Sequence, residues 1–225
     1  MVLLSLLLLP RISTAEDIIK VVMLGNPNDP LPSEQAENIE GFAGKVFING
    51  KFHTGSIEVI QDRAGLYVVK KLPLEEYIEG VVVSETNKDW ELEALKTRAV
   101  ISRTNATLYK TNNAGAKYHL ASTLPHLLYR GENRDPLVSR AVKATKGEVL
   151  TYNGLLIKAL FYFTGSEEGK LHARTRLGAL DMAREGKDYK EILRHYYPDM
   201  IIQNNKEFYS RKNTSSQTAD NIQNN

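Results

Sequence analysis

Between Leu74 and Glu85 the chain reads LEEYIEGVVVSE, and its apolar residues Leu74, Tyr77, Ile78, Val81 and Val82 fall at i, i+3, i+4, i+7 and i+8. That is the period of a helix with one face on a core. Glu85 falls at i+11, on the same face, at the end where the helix dipole is negative. Two readings of this carboxylate are open. Partly withdrawn from water beside a negative dipole end, it holds a proton more readily and suits a general acid. Alternatively the helix frays there and the acid meets solvent, as most surface acids do. Glu75, Glu76 and Glu79 lie off the stripe and read as a solvated face.

Upstream the pattern is that of strands. IIKVVML reads as one, followed by the Pro/Asn-rich loop GNPNDPLPSEQAEN. KVFINGKFHTGSIEVI carries Asn49-Gly50 between apolar runs, a hairpin signal, and Asp62 to Gly65 turns the chain again before LYVVKKL. Downstream, Asp89 is placed to cap a second helix, with Glu91 and Glu93 in its first turn and Leu92, Leu95, Ala99, Ala106 and Tyr109 on one face. The stretch KTNNAGAKYHLASTLPHLLYRGEN is irregular, broken by Gly115 and Pro125. A third helix is signalled by Asp135 as cap, Pro136 at the first position, Val138, Ala141, Val142 and Thr145 as the buried side, and Gly147 as the stop. EVLTY, Asn153-Gly154 and LLIKALFYF predict a second hairpin whose long apolar second strand is expected at the centre of a sheet. Residues 177–198 return to helix, interrupted at Gly186, with Tyr189, Ile192, Leu193 and Tyr196 as a later face. Strands, helices, strands and helices in blocks predict an α+β fold, with small antiparallel β hairpins packed with several helices in a single domain.

The 225 residues suffice for one good-sized core, and the net charge of +2 is spread along the chain instead of gathered in a block. That gives little support for nucleic-acid binding and suits an anionic polymer such as cell-wall glycan. The absence of cysteine excludes disulfides and thiolate metal sites. His53, His119, His126, His172 and His195 show no close ligand spacing, although His119 and His126 share a loop. Neither a metal nor any other cofactor is expected. Residues 1–15, MVLLSLLLLPRISTA, resemble a secretory signal in their leucine run and small-residue site at Ser13-Thr14-Ala15, though no Lys or Arg precedes the leucines. Export to the periplasm or cell-wall space is the expectation, and no apolar segment is long enough to span a bilayer. Residues 16–43 form an N-terminal strand and loop, 44–198 the main domain, and 199–225 an Asn-rich polar tail expected to be disordered.

Four ordered blocks carry a family resemblance: LPLEEYIEGVVVSE, DWELEALKTRAVISRTNA, RDPLVSRAVKATKGEVLTYNG and GALDMAREGKDYKEILRHYYP. Together they resemble the SpoIID/LytB family of bacterial cell-wall proteins, which includes sporulation peptidoglycan lytic transglycosylases and amidase enhancers. The resemblance implies that Glu85 is the catalytic acid and that Arg103, of the Arg-Thr pair, steadies a carboxylate or holds an anionic glycan group. Without it, Arg103 reads as a surface arginine. After the second hairpin the family continues with a His-Ser-x-x-Gly-Gly type turn, where this chain has Phe163-Thr164-Gly165-Ser166-Glu167-Glu168, leaving the hydroxyls of Thr164 and Ser166 as the substrate contacts. Several tens of family residues are then missing, so the domain looks shortened near 165–176. His172 stands near the family's Gly-His-Gly-Val-Gly type motif but out of register with it. Zinc is thought to bind some relatives through Cys and His, and this chain has no Cys to inherit that site.

The activity so implied is cleavage of the MurNAc to GlcNAc linkage in peptidoglycan glycan strands during sporulation or division. Glu85 donates a proton to the glycosidic oxygen, and its carboxylate then takes the proton of the C6 hydroxyl as a 1,6-anhydro ring closes. A hydrolase needs a second carboxylate across the bond, and Asp89, Glu91 and Glu93 are better explained as cap and first-turn charges. The competing reading is non-catalytic: a peptidoglycan-binding partner of a cell-wall amidase, or an inactive shortened paralogue.

Overall fold

The computed structural model describes residues 17–24, 41–42, 45–48, 51–54, 56–62, 65–86, 88–122, 124, 127–130, 134–159 and 178–205. The leucine run, Asn49-Gly50, His126, Thr164, Ser166, His172 and the whole of the shortened stretch 165–176 lie outside the described residues. The fold is α+β, as the block order predicts.

A four-stranded sheet orders the N-terminal half. Strands β1 (Ile18–Leu24), β5 (Ser56–Asp62), β6 (Gly65–Pro73) and β7 (Leu120–Ala121) run in the order β5-β6-β1-β7, antiparallel except for β1 with β7. β2 (Gly41–Phe42), β3 (Lys45–Ile48) and β4 (Lys51–Thr54) form a separate antiparallel sheet, with Ile48 opposite Lys51 as a two-residue hairpin requires. β6 passes directly into α1 (Leu74–Glu85), and the Leu74 amide donates to the Asp17 carbonyl at 2.7 Å, tying the helix start to the head of β1. Leu74, Tyr77, Ile78, Val81 and Val82 are all buried, as the stripe demands. They pack with Ile19, Val21, Val68 and Leu72 of the sheet and with Leu95 and Ala99 of the next helix. Each such aliphatic side chain contributes about 1.5–3 kcal/mol when removed from water.

That next helix, α2 (Leu92–Asn112), is the axis of the molecule. The expected single buried face is too narrow a description: every residue from Thr97 to Thr107 is buried. Several polar side chains of this enclosed helix find partners inside the protein. Thr97 donates to the Glu93 carbonyl at 2.9 Å, and Thr104 donates to Val100 at 2.7 Å while accepting from the Leu150 amide at 2.9 Å. Asn105 accepts from the Ala159 amide at 2.9 Å and donates to the Ala159 carbonyl at 2.6 Å. The cap differs from expectation too. The helix begins after Glu91, which makes no side-chain cap bond, so Asp89 does not cap it. Glu93 instead accepts from the Tyr189 amide at 3.0 Å.

α3 (Pro136–Ala144) starts as its residues require, with the Asp135 carboxylate accepting from the amides of Leu137 and Val138 at 2.8 and 3.1 Å. Gly147 follows at φ +78°, a conformation that glycine tolerates best. β8 (Glu148–Tyr152) and β9 (Leu155–Leu156) are joined through Asn153 and Gly154 at φ 48° and 76°, the two positive values of a type I′ turn. Two expectations are corrected here. Among the described residues β9 is two residues long and lies at an edge, residues 160–163 of the expected strand lying outside them; the central strand of this sheet is β8. Its other neighbour is β10 (Ile201–Asn204), drawn from the stretch expected to be disordered. Ile201 and Ile202 are β-branched residues suited to a strand, and the Asn205 amide closes the pairing on the Gly147 carbonyl at 2.7 Å. Residues 178–184 are helical, Gly186 turns the chain at φ +87°, and α4 (Tyr189–Tyr196) is opened by a capping box between Asp188 and Glu191.

Candidate functional site

α1 and α2 pack on each other, and two arginines of α2 reach two glutamates of α1. Arg98 pairs with Glu85, and Arg103 pairs with Glu75. Successive helix residues turn by about 100°, so Arg98 and Arg103 point about 140° apart. They cannot serve the same carboxylate.

Glu85 sits on the last turn of α1 with its side chain 11% exposed, against 5% for Arg98. One carboxylate oxygen meets the guanidinium, and the other accepts from the Leu128 amide at 3.1 Å. The Leu128 contact belongs to a seam. Tyr77 donates to the Leu127 carbonyl at 3.1 Å, and the Ser84 hydroxyl accepts from the Arg130 amide at 3.2 Å, so residues 127–130 are stitched along α1. A guanidinium and an N–H donor both favour the charged form of the carboxylate. Burial and the helix end, which favour the proton, are opposed at contact distance.

Arg103 is fully buried. It donates through Nε and Nη2 to the two oxygens of Glu75 at 2.9 and 2.7 Å, a bidentate fork, and Nη2 also reaches the Val142 carbonyl at 3.3 Å. Nη1 donates to the Glu148 carbonyl at 3.2 Å, and the Gly147 amide donates to Glu75 at 3.2 Å. The ion pair thus ties α1, α2, the end of α3 and the start of β8 into one unit. With its donors turned inward Arg103 has none to offer a glycan, and the solvated face expected for Glu75 and Glu79 is corrected as well. Glu75 receives this fork, and Glu79 accepts from the Ser139 hydroxyl.

Sequence reasoning missed Arg98. The signal was available: it lies at i+3 from Leu95 and beside Ala99, a cation on a buried stripe facing an acid on another. Of the two histidines that share a loop, His119 is engaged by the backbone. His119 accepts the Lys20 amide on Nδ1 at 3.1 Å, and burial, reinforced by Lys110 and Lys20, brings its pKa down to about 4. Among the described residues no three His, Asp or Glu side chains are grouped to hold a metal ion. No helix among them is long and apolar enough to cross a membrane.

Residues 62–152, from the end of β5 through β8, match the family model described as stage II sporulation protein. The chain is similar to an uncharacterized protein of Brachyspira hyodysenteriae, 33% identical over 127 residues, covering 56% of this chain and 33% of the other. It is also similar to the stage II sporulation protein D of Bacillus subtilis, 31% identical over 114 residues, 44% of this chain and 33% of that one. The amidase enhancer of Bacillus subtilis is 36% identical over 84 residues, 37% of this chain and 11% of its own length. The chain thus spans about a third or less of the length of these relatives. Over residues 62–152, the stretch that holds Glu75, Glu85, Arg98 and Arg103 together, the chain is similar to the stage II sporulation proteins.

Proposed function

We propose that this chain is an exported cell-wall protein that cuts peptidoglycan glycan strands as a lytic transglycosylase, with Glu85 as its single acid and base. The observation that carries the reading is the placement of Glu85, at the end of the family's opening block, on the last helical turn, largely but not wholly covered and oriented by Arg98. Arg98 makes Glu85 a stronger acid once it is protonated and stabilises the carboxylate left after the glycosidic oxygen takes the proton. The same charge makes Glu85 a weaker base for the C6 hydroxyl, so the ion pair must loosen in the second step. Arg103 acts through the frame, by fixing the start of α1 against β8. Thr164 and Ser166 remain the proposed hydroxyl contacts to the glycan.

The second reading is a non-catalytic glycan-binding protein that assists a cell-wall amidase, or an inactive shortened paralogue. It is favoured by the engagement of both Glu85 oxygens in structural contacts and by the similarity to an amidase enhancer. Incubation of the purified protein with denuded glycan strands, read by mass spectrometry, separates the two. Sugars ending in 1,6-anhydro-MurNAc are the expected products, and a folded protein that yields none supports the non-catalytic reading.

A further inference from the structure

A cavity of about 510 Å³ opens between α4 and the β8–β10 ladder, and none of the residues that hold Glu85 lines it. Three cations surround it. Lys190 and Arg194 stand at i and i+4 on α4 and so share a face, and Lys146 comes from the turn between α3 and β8. Among the described residues none of the three has a carboxylate partner. The single acid in the lining, Glu148, accepts from the Tyr189 hydroxyl at 3.1 Å on one oxygen, so one negative charge faces three positive ones. Charges around a cavity of this size lie within roughly one Debye length, ~8 Å at physiological salt, so their fields add. Three like charges kept together repel each other unless an anion offsets them.

The rest of the lining narrows the anion. Pro198, Met200 and Ile202 supply apolar surface, and Ile201 beside them is 63% exposed. β10 lines the cavity along its whole length and, among the described residues, pairs on one side only. An edge strand with an apolar floor and cationic flanks fits an extended chain whose charges are spaced by apolar groups and whose backbone can hydrogen-bond. A polyphosphate, charged at every unit, leaves the apolar floor unused. We propose that this groove is a second binding site, for an acidic, partly apolar peptide chain. The site stands apart from the chemistry of Glu85, and failure of either reading leaves the other intact.

Titration of the full chain with a fluorescent decamer of alternating Glu and Ala tests this. The expected result is salt-sensitive binding that weakens at least tenfold in Lys146→Ala/Lys190→Ala/Arg194→Ala. A control that removes three exposed cations elsewhere, Arg140→Ala/Lys143→Ala/Arg184→Ala, should stay within about twofold of the parent. Thermal melting establishes that both variants are folded. No binding by the parent, equal losses in the two variants, or a DNA oligomer bound as tightly through the same three residues overturns the proposal.

Discussion

Glu85 is paired with Arg98, while Arg103, five residues further along the same helix, is committed to Glu75. One pair lies at each end of α1, and both arginines are buried while both glutamates keep an edge toward solvent, Glu75 at 26% and Glu85 at 11%. In the proposed function the first pair serves the chemistry and the second the framework, and the two are expected to respond differently to substitution.

Removing Arg98 should shift the pH dependence of cleavage. Loss of the guanidinium lets Glu85 keep its proton at higher pH. The alkaline limb of kcat/KM for Arg98→Gln is therefore expected to move upward, while Arg98→Lys stays close to the parent. Pseudo-first-order rates of glycan cleavage across a pH series give the comparison. An unmoved limb would mean that Arg98 holds structure alone.

Glu75→Gln should act on stability. It leaves the Arg103 charge buried against a neutral amide, with one oxygen remaining of the two that formed the fork, a change that costs about 3 kcal/mol when a buried pair is broken. Urea denaturation monitored by circular dichroism measures it, and a loss below about 1 kcal/mol would show that the fork contributes little.

His119 should make stability depend on pH in a defined window. Its folded pKa of about 4 lies below the usual 6.5, so between these values the unfolded chain binds the extra proton. Its contribution is complete above about pH 6.5 and is lost as pH falls toward 4. His119→Asn, whose carbonyl can take the Lys20 amide, should flatten that part of the curve relative to the parent. Chemical denaturation midpoints from pH 7 down to pH 4, on both proteins, show whether it does.

Asn105 is bound at both ends to the backbone of Ala159, where the chain leaves β9. Asn105→Leu removes two buried hydrogen bonds and strands a carbonyl and an amide, at about 2 kcal/mol or more. Amide exchange at Ala159 should accelerate in the variant, and unchanged protection there would contradict the clamp.

Much of this architecture was legible in the residues. Asp135-Pro136, Asn153-Gly154 and Gly186 act within a few positions of themselves, through caps and positive φ, and they lie where the pattern places them. The stripe of α1 was legible for the same reason, since one helix face needs only one period. What local pattern does not contain is choice of partner. Arg98 and Arg103 are both arginines of one helix, and only the packing of α2 against α1 decides which of them meets Glu85. β10 was hidden because two isoleucines in a polar tail make a strand only when β8 is there to receive them. The candidate site was legible as a position, Glu85, but its ion-pair partner Arg98 is fixed by packing and not by local pattern.

The most direct test sets parent and Glu85→Gln side by side on denuded glycan strands, with 1,6-anhydro products counted by mass spectrometry. The proposed role of Glu85 predicts product from the parent and none above background from a Glu85→Gln variant shown by melting to be folded. Equal product from both would contradict it, since the proton would then come from another group.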